Sequence, residues 1–175
     1  MGIFLVIAIT AILAFLLYKG KILDWIGEHN KLVQTLKQKK FFQSYLLGGV
    51  ILFFINGLLF VVFSLLIFLV GAFIRIPFLH IFFMIVAGLV AFYTWGVIYH
   101  VWEGTAKERL KMGLIGSSFF GILAIQFIYS LLTFKPSSEV GDLVMATVGL
   151  WFGIIVTLLA FISCFIYTAL ENKVE

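Results

Sequence analysis

Between Tyr45 and Trp102 the chain carries a single charged residue, Arg75. An apolar stretch of that length is too long for one membrane span, because about 20 residues of helix cross the ~30 Å hydrocarbon core. It fits two spans. The natural break lies between Gly71 and Pro77, where Arg75 and Pro77 sit together. Proline is tolerated in the first turn of a helix, and it drives the residue before it towards extended geometry. The pattern therefore predicts a helix over 45–73, a tight turn, and a helix over 77–102.

Three further apolar runs extend the series. Residues 2–18 form one near the lower length limit for spanning. Residues 112–134 form another, ended by Lys135, Pro136 and two serines, and residues 143–170 form the last, before a charged tail. With 63% hydrophobic and only 11% charged residues, too few polar side chains remain to cover a water-facing surface. The expected fold is all-α: a single polytopic membrane domain over 1–175, with five transmembrane helices and one amphipathic interfacial helix over 20–43.

Loop charge sets the expected orientation. Ten of the chain's 12 Lys and Arg residues fall on one side of a five-span arrangement, at 19–43, 103–111 and the tail, leaving Arg75 and Lys135 on the other. Basic loops stay in the cytoplasm, so the N-terminus is expected outside and the C-terminus inside. No basic residue precedes 2–18 and no small-residue cleavage site follows it, which favours a reverse anchor over a cleaved signal peptide. The bias of Lys over Arg and the 21 Phe suggest a bacterial cytoplasmic membrane.

Segment 20–43 reads as amphipathic. At 100° per residue, Ile22, Trp25, Ile26, His29, Leu32, Val33 and Leu36 share one face, and Lys21, Asp24, Glu28, Lys31, Gln38 and Lys39 the other. Such a helix is expected to lie on anionic lipid at the cytoplasmic interface, or to dock a cytoplasmic partner.

Membrane helices associate where small residues let backbones approach, since lipid is as apolar as leucine. Span 143–170 carries the clearest seam: Ala146, Gly149, Gly153, Thr157, Ala160 and Cys164, continued by Tyr167 and Thr168. This stripe predicts a bundle with that span near its centre, or alternatively a contact in a homo-oligomer or with another membrane protein.

Intramembrane polar residues are few. No Asp, Glu, Lys or Arg lies well inside a predicted span, which disfavours ion-coupled transport. Asn56 and Gln126 each carry an amide that costs several kcal/mol in lipid if unpaired, about 2–7 by transfer data, so both are expected to face protein or a polar path. Ser130 shares the Gln126 face, and His80 shares the small-residue face of span 77–102. These four are the candidate polar contacts. His80 and His100 lie about 30 Å apart along one helix and point to different sides, so they cannot share a metal or haem. No nucleophile–base pair accompanies Cys164 or Ser117, and no catalytic motif is present. Neither catalytic residues nor a metal or cofactor site are expected, and nucleic acid is not an expected partner. The leading expectation is a non-enzymatic accessory or scaffold subunit of a cytoplasmic-membrane complex. A small oligomeric transporter or channel for a neutral or lipophilic solute comes second, and an integral membrane enzyme third.

Overall fold

The computed structural model of the chain describes residues 17–27, 30–39, 44–73, 77–134 and 140–170, together with Thr10 and Ala14. Among these residues there are six helices and no strand: α1 (Lys19–Ile26), α2 (Lys31–Lys37), α3 (Tyr45–Phe73), α4 (Pro77–Val101), α5 (Ala106–Thr133) and α6 (Val140–Ala169). Four of them are long and apolar enough to cross a membrane, over Tyr45–Phe73, Leu79–Val101, Ala106–Thr133 and Val144–Ala169. Of the expected span over 2–18 only Thr10, Ala14, Leu17 and Tyr18 are described, and His29, Arg75, Lys135 and the tail lie outside the described residues.

Helix boundaries follow local chemistry. α3 matches the predicted range, and α4 starts on Pro77, whose missing N–H is not needed in the first turn. α5 begins six residues before the expected start at 112, since 112 minus 106 is 6. Its N-terminus is fixed by a capping box, in which Thr105 accepts from the Glu108 N–H and the Glu108 carboxylate accepts from the Thr105 N–H. The charged 103–111 stretch is thus mostly a helix end rather than a loop.

The four long helices run up and down in a ring. α3 packs on α4 and α5, and α6 packs on the same two, so α3 and α6 face each other across a diagonal. The α5–α6 and α3–α5 seams are the most extensive. Among the described helices α6 is therefore one corner of the ring, in contact with α4 and α5. One end of the bundle, the charged end, gathers Lys19, Lys37, Glu103, Glu108, Arg109 and Lys111. The opposite end carries the last turns of α3 and α5 and the first turns of α4 and α6.

The expected single helix over 20–43 is instead two. Gly27 has φ 59°, a left-handed conformation that glycine adopts at little cost, and it stops α1. Asn30 then starts α2, its side chain accepting from the Leu32 N–H at 2.9 Å. A single helical wheel cannot hold across that break. The buried face is Leu23, Ile26 and Val33, while Trp25 and Leu32, predicted on the apolar face, point outwards. The buried face packs against Val97 and Val101 of α4, with Ile51 and Tyr93 alongside. His100 Nε2 meets the Leu23 carbonyl at 2.9 Å, Asn30 Nδ2 donates to the Tyr93 hydroxyl at 2.9 Å, and Lys37 pairs with Glu103 at 3.1 Å. Burying an aliphatic side chain from water contributes about 1.5–3 kcal/mol, whereas an exposed ion pair contributes about 0–1 kcal/mol. Apolar packing, not the Lys37–Glu103 pair, holds the arm to α4.

Candidate functional site

Two polar constellations lie within the described bundle. The first is centred on Asn56 of α3, 1% exposed. Trp95 of α4 donates its indole N–H to Asn56 Oδ1 at 2.9 Å. Asn56 Nδ2 donates to the Gly116 carbonyl of α5 at 3.0 Å and to Cys164 Sγ of α6 at 3.5 Å. Because an indole N–H can only donate, the amide oxygen must face Trp95, and the amide nitrogen is thereby aimed at α5 and α6. One side chain thus joins all four long helices.

The sequence permits this only where small residues clear a path. A Cβ on Gly116 would collide with Leu52, and one on Gly49 would meet Ile115 Cβ at 2.8 Å, so α3 and α5 approach at glycine distance. Aromatic rings close the space around the amide. Phe92 meets Trp95 edge-on at 5.1 Å and Tyr167 at 5.1 Å, and Trp95 meets Phe120 at 6.2 Å. Each interhelical hydrogen bond in a membrane contributes ~0.6–2 kcal/mol. The arrangement ties helices together and presents no reacting pair.

The second constellation caps helix ends at the charged end. Lys19 is only 5% exposed, although the sequence placed it in a solvated loop. Its Nζ donates to the carbonyls of Ile166 at 2.8 Å and Leu170 at 2.6 Å, where the last turn of α6 has no partners of its own. Arg109 Nη2 donates to the Trp102 carbonyl just past α4, at 3.2 Å. A cation at a helix C-terminus also meets the negative end of the macrodipole. Both cations lie against Tyr99, Lys19 Nζ 5.0 Å and Arg109 Cζ 4.6 Å from the ring centroid. Burial, and secondarily the Arg109 charge, lower the Lys19 pKa from 10.5 to about 8. Among the described residues, three buried donors lack a hydrogen-bond partner: Trp102 Nε1, Arg109 Nε and Ser163 Oγ.

The residues singled out from the sequence are distributed unevenly. Asn56 and Cys164 are brought together. Thr157 is buried but bonds within its own helix, to the Gly153 carbonyl at 2.7 Å. Gly153 faces the Phe127 ring, Ala146 and Ala160 are half-buried, and Gly149 is exposed with nothing within 4 Å of a Cβ placed on it. His80 lies against Gly71 at the far end of the α3–α4 pair. Gln126 is on the exposed face of α5 and Ser130 is half-buried, so neither joins Asn56 in a shared path. No group of three His, Cys, Asp or Glu side chains able to hold a metal occurs among the described residues.

No protein-family model, curated protein or solved structure matches the chain.

Proposed function

We propose that this chain is a non-enzymatic scaffold subunit of a complex in a bacterial cytoplasmic membrane. In this reading it spans the membrane five times, with 2–18 as the first span, its N-terminus outside and its C-terminus in the cytoplasm. The observation that carries the reading is the Asn56 amide: both its oxygen and its nitrogen are engaged by neighbouring helices. A buried amide used in this way stiffens a bundle, whereas a solute path needs polar groups left open to what passes. The outer half of α6, with Gly149 and Trp151 facing outwards, offers a further helix a small-residue contact of the kind that drives association in lipid.

Affinity purification of the full chain in mild detergent, followed by mass spectrometry, tests the proposal. A stoichiometric foreign membrane protein is expected. A pure homo-oligomer that supports solute flux in liposomes would replace the scaffold reading with the transporter reading. Cysteine labelling tests the topology: Ser137→Cys and Gln38→Cys should react from opposite sides, and reaction from one side alone would overturn the five-span arrangement.

A further inference from the structure

We infer that the α1–α2 arm is a membrane anchor that stands upright along α4 and presses Trp25 and Leu32 into the bilayer where headgroups meet acyl chains. The inference goes beyond the scaffold proposal and holds whatever partner the bundle has.

The contacts of the arm descend α4 and then climb it again. The Leu23 carbonyl meets His100, a Cβ on Gly96 would run into Ile26, and Asn30 reaches the Tyr93 hydroxyl. From there Val33 packs beside Val97 and Val101, and Lys37 pairs with Glu103. Gly27 and Asn30 therefore mark the low point of a hairpin, at the level of Tyr93. That residue precedes Val101, the last of α4, by 8 positions (101 minus 93), or ~12 Å along the helix. A helix lying flat on a membrane surface could not make this series of contacts.

Depth and side-chain character agree. α4 has 25 residues, ~37 Å of helix against ~30 Å of hydrocarbon. With the whole ~7 Å surplus placed at the charged end, the Tyr93 level of an upright α4 still lies ~5 Å inside the apolar layer. Amphipathic segments bind bilayers at depths of about 5–10 Å. Trp25 and Leu32 flank the low point and are 80% and 53% exposed. Further from it the outward residues of α2 are polar: Gln34, Thr35, Gln38 and Lys39. On α4 the exposed large apolar side chains run from Ile81 to Leu89 and go no further. The low point of the arm thus meets the edge of a face that is already apolar and outward, and the bilayer that covers one covers the other. Tryptophan suits this boundary, with an apolar ring and a polar N–H. The exposed charges of the arm are compatible with it. Lys21 and Asp24 lie beside Leu23, nearer the span end, and the Lys31 stem can carry its ammonium back to headgroup phosphates.

The test uses the full chain alone, reconstituted in vesicles of phosphatidylcholine and phosphatidylglycerol, so that it does not depend on any partner. A nitroxide is placed at Trp25→Cys, Leu32→Cys or Gln38→Cys in turn; the native Cys164 is buried, and the unsubstituted chain controls for its labelling. Collisions with oxygen, which concentrates in the apolar layer, are compared with collisions with a water-soluble nickel chelate. The oxygen-to-chelate ratio should be several-fold higher at positions 25 and 32 than at 38. A ratio at 25 and 32 equal to that at 38 would place the whole arm in water, and few collisions with either reagent at 25 and 32 would mean that protein covers them. Either result overturns the anchor. A second measurement needs no label: quenching of tryptophan fluorescence by lipids brominated near the glycerol end of the acyl chain should fall in Trp25→Phe, and undiminished quenching would overturn the assignment as well.

Discussion

A methyl group added to Gly113 would meet Ala169 Cβ at 2.6 Å, and one added to Gly116 would run into Leu52, whereas at Gly88 or Gly149 it would meet nothing within 4 Å. The first two glycines lie in the charged half of the bundle and the others nearer the far end. The same division runs through the buried side chains of the four long helices. Among the residues whose burial is described, only Val70, Ala124 and Ile154 lie beyond the helix midpoints towards the far end, and all the rest lie on the charged side. In the charged half, hydrogen bonds and backbone approach leave little room to rearrange. In the far half the described helices show Phe60, Phe68, Phe82, Ile125 and Met145 outwards, and few side chains there are buried against one another. Among the described residues, cohesion is thus concentrated towards one end of the bundle axis.

This contrast can be broken by substitution, and the largest effect is expected at its centre. Asn56→Ala leaves the Trp95 indole N–H buried without an acceptor and opens a void among four helices. It should destabilise the protein by about 2–4 kcal/mol, from the unpaired donor and the lost packing together. Gln126→Ala, on the exposed face of the far half, should cost less than ~0.5 kcal/mol. Unfolding in mixed micelles measures both, and equal losses would abolish the distinction between the halves.

Glycine substitutions sharpen it. Gly116→Ala should cost about 1–3 kcal/mol through overpacking on Leu52. Gly149→Ala should be neutral or slightly stabilising, since alanine is the better helix former by about 1 kcal/mol. If Gly149→Ala instead leaves the isolated protein unchanged and removes a co-purifying partner, the far half is the docking surface.

The smallest effect concerns pH. The folded pKa of Lys19, about 8, lies below its ordinary 10.5, so between these values the unfolded chain binds more protons than the folded one. Stability should therefore rise as pH goes from about 8 to 10.5 and be insensitive to this group below that window. Melting temperatures across the window should show the rise in the wild type, and Lys19→Met should flatten it.

How far the sequence reveals these features depends on the range of the interaction involved. The ends of α3 and the start of α4 are legible because hydropathy and Pro77 act locally. The Thr105–Glu108 capping box is equally local and was written in the residues, yet the charge density of 103–111 masks it as a loop. Gly27 is another visible signal, since a glycine inside an amphipathic pattern lowers the case for one continuous helix. Asn56 is legible as a residue that must be paired, but its partners on three other helices are not. The same reasoning expects Gln126 to face protein or a polar path, and among the described residues its side chain is exposed and meets none of the Asn56 partners. Lys19 is beyond local pattern altogether: the carbonyls it meets belong to residues 147 and 151 positions away.

That separation has a consequence for the order in which the protein is made. Ribosomes deliver the chain from its N-terminus, so Lys19 emerges long before Ile166 and Leu170 exist. Through insertion of the intervening helices its ammonium must rely on water or lipid headgroups, and the contacts to α6 can close only once the last span is complete. The junction of Lys19 with α6 is therefore a late event in biogenesis, joining the beginning of the described chain to its end after every helix between them is in place.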